Sequence, residues 1–221
     1  MKILSKRAQD FLISPLHRNK NFIDSSQKDI LWDSRLEARK DSSFYGDNIL
    51  TLSYFTQTDN ELEKLFLEAV ARLATERNIA FLANLSFREV ENYLRDENHL
   101  PVFEADGAIK PETAYLKIKY SLLCSLVLKR VQGHALFNKL ALRPWSELSL
   151  VEKNRLVLAG VELLNSLFPK LKKMNLALAD DAEISLVMNE FPLASEVIEL
   201  VFLALFIKQE EKTSLKVVAV Q

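Results

Sequence analysis

Apolar and polar positions alternate most regularly at Ile49–Thr56, where Leu50, Leu52 and Tyr54 share one face and β-branched and aromatic residues dominate. That pattern predicts a β-strand. Upstream, residues 3–13 carry a helical period that Ser14-Pro15 ends, a polar stretch runs to about residue 30, and residues 34–39 predict a further strand. Ser42, Ser43, Gly46, Asp47 and Asn48 form a turn cluster between the two strands. Downstream, Thr58-Asp59-Asn60-Glu61 offers helix-capping chemistry before an apolar and charged stretch that, by period alone, is one helix to Ala83.

Two segments have the spacing of a capping box, in which a Ser hydroxyl takes the N3 amide and a Glu side chain reaches back. They are Ser86-Phe87-Arg88-Glu89, opening a helix over 87–95, and Ser149-Leu150-Val151-Glu152, opening a longer one. In the second helix Leu150, Val157, Val161, Leu164 and Phe168 fall on one face, Glu152, Arg155 and Glu162 lie opposite, and Pro169 closes it. Between them, residues 103–113 predict a loop containing Asp106-Gly107 and Pro111. Ser121 to Val131 predicts a nearly all-apolar helix with Gly133 as its C′ residue. Ser195 to Gln209 predicts a last helix, whose stretch from Val197 to Ile207 suits a core or a dimer seam, and Val217–Val220 a final strand or a tail. The expected architecture is α+β: a small antiparallel sheet packed by helices over residues 1–133, followed by a mainly helical C-terminal extension, 134–221, packed on it.

Composition narrows the chemistry. The chain has four glycines in 221 residues, Gly46, Gly107, Gly133 and Gly160, no two closer than 26 positions. A phosphate-cradling P-loop or a dinucleotide fingerprint needs glycines within a few residues of one another. With 29 Lys and Arg against 30 Asp and Glu, no basic excess suggests nucleic acid. The short basic clusters (Lys2, Lys6 and Arg7; His17, Arg18 and Lys20; Lys170, Lys172 and Lys173) suit solvated surface, the last beside a helix end where cations are favoured. Cys124 is the sole cysteine, so no intrachain disulfide and no multi-thiolate site can form, and its apolar neighbours suit a small core residue. His17, His99 and His134 have no metal-ligand spacing. Met1–Arg7 is charged where a secretory signal is apolar, and the longest apolar run, Leu200–Ile207, is eight residues. A membrane span needs about 20. The expectation is a soluble, cytoplasmic protein without a membrane partner.

Three segments, in order, resemble the U-type iron–sulfur cluster scaffold proteins (the IscU and NifU N-terminal family). Phe44-Tyr45-Gly46-Asp47-Asn48-Ile49-Leu50-Thr51-Leu52 is similar to that family's Cys-Gly-Asp turn and alternating strand. Glu68-Ala69-Val70-Ala71-Arg72-Leu73-Ala74 through Leu82–Val90 is similar to its cysteine, small-residue helix, turn and acidic helix. Leu116-Lys117-Ile118-Lys119-Tyr120-Ser121-Leu122-Leu123 resembles the segment carrying its last cysteine, and Ser14-Pro15 to Arg18-Asn19 is loosely similar to its Asn-Pro-Arg-Asn. The likeness covers about residues 5–133. It implies that residues 61–67 form a third strand, with the helix starting near residue 69, and this expectation is adopted here over the single helix.

The resemblance also implies that the family's ligand positions are Tyr45, Asp47, Glu68 and Tyr120 in this chain, with only the aspartate kept. A phenol and a carboxylate do not replace soft thiolates for a cluster. Two readings follow. Either the side chains fill the space the ligands left and Asp47 takes turn amides, or the four form a hard oxygen-ligand site for a cation such as ferric iron. The leading expectation is a non-catalytic, accessory or regulatory protein-binding module without a cofactor. Its partner would be a cysteine desulfurase or another iron–sulfur assembly factor. The alternatives are the oxygen-ligand metal-binding protein and an unrelated helical interaction module.

Overall fold

The computed structural model describes residues 2–18, 30–37, 48–97, 100–103, 110–132, 144–167, 174–179, 183–188, 191, 193–206 and 216–220. The fold is α+β, with two three-stranded sheets and helices around them. Contacts divide the chain into two units that part between Leu122 and Leu123.

In the first unit, α1 (Lys6–Ile13) begins at Ser5, whose hydroxyl accepts from the Ala8 amide. Ile3, expected inside this helix, instead bridges to Phe103. The Asp96 carboxylate accepts from the Lys6 and Arg7 amides at 2.7 and 3.0 Å. These amides have no partner within the helix, so a carboxylate there is doubly favoured.

Strands β1 (Leu31–Glu37) and β2 (Asn48–Phe55) pair antiparallel, and β3 (Arg77–Asn78) joins the far edge of β2. Leu52 and Tyr54 face inward as the alternation predicted. The register then shifts: Arg35 pairs Thr51 but Leu36 pairs Ile49. Leu50 is thus the extra residue of a bulge, and Ile49 is fully buried.

Helix α2 runs from Glu61 to Ala74, so the third strand expected at 61–67 is overturned. The local reason is visible. Asn60 accepts from the Leu62 and Glu63 amides, and Glu61 and Glu63 sit at the positive end of the helix. Every residue from Leu65 to Ala71 is buried, which blurs the periodicity of a central helix. Nor does one helix continue to Ala83. Glu76 adopts φ 63°, its amide reaching the Ile49 carbonyl at 2.6 Å, and the chain turns into β3. Helix α3 (Ile79–Asn84) and helix α4 (Phe87–Leu94) follow, α4 opened by the expected box in which Ser86 and Glu89 bond reciprocally. Helix α5 (Pro111–Gln132) starts ten residues before the expected Ser121. Pro111, taken as a loop residue, is the first helical residue, where its missing N–H costs nothing. Phe66, Phe87, Phe103 and Tyr115 pack as tilted and edge-on rings, 5.7–6.0 Å between centroids, in the core of this unit.

In the second unit, a 3-10 turn at Trp145–Glu147 leads to α6 (Leu150–Leu167), opened by the expected Ser149–Glu152 box. Val157, Val161 and Leu164 are buried, but Leu150 is exposed and Lys153 lies within, its ammonium 5.5 Å from the Trp145 ring. A sheet follows: β4 (Met174–Ala179) and β5 (Glu183–Met188), which the sequence reading missed, are antiparallel, and β6 (Lys216–Val220), where Val217–Val220 suggested a strand or a tail, is parallel to β5. Helix α7 (Ser195–Phe206) makes the β5–β6 crossover that parallel pairing requires. Val197, Ile198, Val201 and Phe202 are fully buried. The Asn165 side chain bonds both the N–H and C=O of Met174, completing the start of β4.

Of the expected turn cluster, Asn48 is instead the first residue of β2, and Ser42, Ser43, Gly46 and Asp47, like Gly107, Gly133, Phe168 and Pro169, lie outside the described residues. No helix is long and apolar enough to cross a membrane among the described residues.

Candidate functional site

Of the four positions singled out by the resemblance, Tyr45 and Asp47 lie outside the described residues, and Glu68 and Tyr120 lie within them. Glu68 is completely buried in the middle of α2. A carboxylate there must be compensated, since an unpaired buried charge is strongly unfavourable. Four donors do so. Oε1 accepts from the Leu16 amide at 2.9 Å and from Arg72 Nε at 2.7 Å. Oε2 accepts from the His17 amide and from the Tyr54 hydroxyl, both at 3.2 Å. A carboxylate has about four acceptor directions, and all are in use.

The donors come from three parts of the unit. Arg72 lies one turn along α2, and its guanidinium also stacks 3.8 Å from the centre of the Phe11 ring, tying α1 to the pair. Tyr54 belongs to β2. Burial, then the negative charge of Glu68 and the hydrogen bond to it, push the Tyr54 phenol well above its ordinary range, so it stays a donor. Leu16 and His17 belong to the segment after α1, which lies along β2. The Tyr54 amide donates to the His17 carbonyl at 2.9 Å, Arg18 bridges to Tyr54, and His17 Nδ1 stands 2.6 Å from the Leu52 carbonyl. A carbonyl only accepts, which assigns the hydrogen to Nδ1.

Tyr120 is half-buried on α5, close to Tyr115 in sequence. Burial, then the charge of Glu89, raises the Tyr115 phenol, which donates to the Leu85 carbonyl. Beside it Lys119 Nζ donates to the Ala83 and Leu85 carbonyls at 2.7 and 2.8 Å, a cation placed at the end of α3. Burial lowers the Lys119 pKa, and Glu89 partly opposes that. The Cys124 thiol, half-buried, is pushed up by desolvation, which suppresses the thiolate needed for attack or metal binding.

Among the described residues, no group of three or more His, Cys, Asp and Glu is disposed to hold a metal. His99, His134, Lys20, Lys170, Lys172 and Lys173 lie outside them. The sequence reading missed a cleft of about 480 Å³ on the first unit, lined by Thr56, Gln57, Thr58, Asn60, Glu63 and Lys117 with Ile30. Nothing in the residue spacing could reveal it, because Lys117 meets Glu63 from 54 residues away. The chain matches no protein-family model, no curated protein and no solved structure.

Proposed function

We propose that this protein is a non-catalytic binding module, resembling a U-type iron–sulfur scaffold whose cluster ligands have been replaced, and that it acts as an accessory or regulatory partner in cluster assembly. The observation that carries this reading is the saturation of Glu68. The residue at a ligand position has its four acceptor directions filled by Leu16, His17, Tyr54 and Arg72, so its work is to hold α1, the following segment and β2 against α2. Ligation through Glu68 would require at least one of these donors to leave a buried carboxylate. The oxygen-ligand alternative is weaker for that reason. A protected thiol at Cys124 supports the same reading.

The partner expected from the resemblance is a cysteine desulfurase or another assembly factor, in the cytoplasm. Titration calorimetry of the full chain against a cysteine desulfurase tests this. A saturable complex at micromolar or tighter affinity supports the proposal, and no heat at about 100 μM of either protein overturns the assignment to that partner.

A further inference from the structure

The cleft on the first unit presents opposite charges side by side. Glu63 and Lys117 meet at 2.7 Å between Oε1 and Nζ, the lysine largely exposed and the glutamate mostly covered. An ammonium has three hydrogens and a carboxylate about four acceptor directions. Lys117 therefore retains donors after meeting Glu63, and Glu63, which also accepts from Thr58, retains acceptors. Burial pulls the Glu63 pKa up, but the bonds from Lys117 and Thr58 outweigh it, so the carboxylate is charged. Around the pair stand the Gln57 and Asn60 amides and the Thr56 and Thr58 hydroxyls. Backbone amides already use Thr56 Oγ1, Thr58 Oγ1 and Asn60 Oδ1 as acceptors, which fixes those side chains in place.

Volume and polarity limit what fits. About 480 Å³ lies in the range of small-molecule sites, and the walls divide about evenly between polar and apolar surface. A simple anion approaching Lys117 meets the charge of Glu63, and a simple cation approaching Glu63 meets Lys117. A ligand that carries both charges a few ångströms apart meets neither repulsion. Its carboxylate takes the free hydrogens of Lys117 while its ammonium takes the free acceptor directions of Glu63, and the protein's own ion pair need not break.

We propose that this cleft binds a free α-amino acid, recognised as a zwitterion by Lys117 and Glu63. The ligand side chain lies along Ile30 and the stem of Lys117, so a short aliphatic or hydroxylated side chain is accommodated. This inference is independent of the partner proposed above.

Calorimetric titration of the full chain with serine, threonine and valine, each beside its N-acetyl and its methyl ester form, tests it. The expected result is binding of at least one zwitterion, weakened about tenfold or more by blocking either end. Lys117→Gln should abolish the preference for the free carboxylate and Glu63→Gln the preference for the free ammonium. Circular dichroism melts of both variants establish that they fold, and Lys117→Ala serves as a second probe of the exposed position. Absence of binding up to about 10 mM in the folded wild type, equal binding of blocked and free forms, or zwitterion selectivity unchanged in both folded variants would overturn the proposal.

Discussion

Glu68 and Arg72 stand one helical turn apart on α2, with Oε1 and Nε 2.7 Å apart, the carboxylate wholly buried and the guanidinium mostly so. This pair joins the unit's local and distant parts. Through Glu68 it takes the amides of Leu16 and His17 and the Tyr54 hydroxyl, and through Arg72 it takes the face of Phe11. The buried charge is tolerable because every acceptor direction is met.

Replacing Glu68 should therefore loosen a defined set of contacts. Glu68→Ala removes the partner of four donors and should destabilise the first unit by about 3 kcal/mol. Glu68→Gln should cost somewhat less, since its carbonyl oxygen still accepts while its amide nitrogen faces donors. Urea unfolding measures the loss. Amide exchange at Leu16 and His17 should accelerate in both variants, and unchanged exchange there would show that Glu68 does not hold the segment.

Acid should weaken the first unit. Asp96 is held below the usual carboxylate range by the Arg7 and Lys6 amides, Glu89 by hydrogen bonds from Ser86, and Glu63 by Lys117 and Thr58 against the opposing effect of burial. Folded pKa values below the unfolded ones mean that this stability is present above about pH 4 and lost as pH falls through the folded values. The urea midpoint should fall below pH 4, and less steeply in Asp96→Asn. A midpoint flat to pH 2 in the wild type would contradict this.

Alkali acts through two phenols. Tyr54 and Tyr115 are raised chiefly by burial and then by Glu68 and Glu89 respectively. Their contribution is present below the unfolded value near 10 and is lost as pH rises through the folded values. Absorbance at about 295 nm should report two tyrosines of five that ionise late or only on unfolding. Tyr54→Phe and Tyr115→Phe should each remove one. Complete titration of the folded protein near pH 10 would contradict their burial.

Glu76, at φ 63°, lies in the region where side chains clash and glycine does not. Glu76→Gly should stabilise the protein by up to about 1 kcal/mol, with the gain read from thermal unfolding. A destabilisation would mean that the Glu76 side chain contributes more than its backbone strain removes.

What the sequence revealed divides along the distance between interacting residues. The Ser86–Glu89 and Ser149–Glu152 boxes were legible because donor and acceptor lie three residues apart. The inward face of Leu52 and Tyr54 was legible from alternation, but the bulge that buries Ile49 depends on pairing with β1. The strand expected at 61–67 followed a resemblance, and the Asn60 cap with its acidic first turn favoured helix instead. Strand β4 escaped notice because Met-Asn-Leu-Ala-Leu-Ala is a helix-forming composition, which tertiary pairing overrode. Glu68 was singled out for the wrong company: its partners at 16, 17 and 54 are brought in by the fold, and no spacing announces them.

The most direct test of the account is elemental analysis with a visible absorption spectrum on protein purified without oxygen. The account predicts colourless protein without stoichiometric iron or zinc, and the same result for Tyr120→Phe. Stoichiometric iron with a tyrosinate-to-iron absorption band, lost in Tyr45→Phe or Tyr120→Phe, would contradict it and establish a metal site where a binding module is proposed.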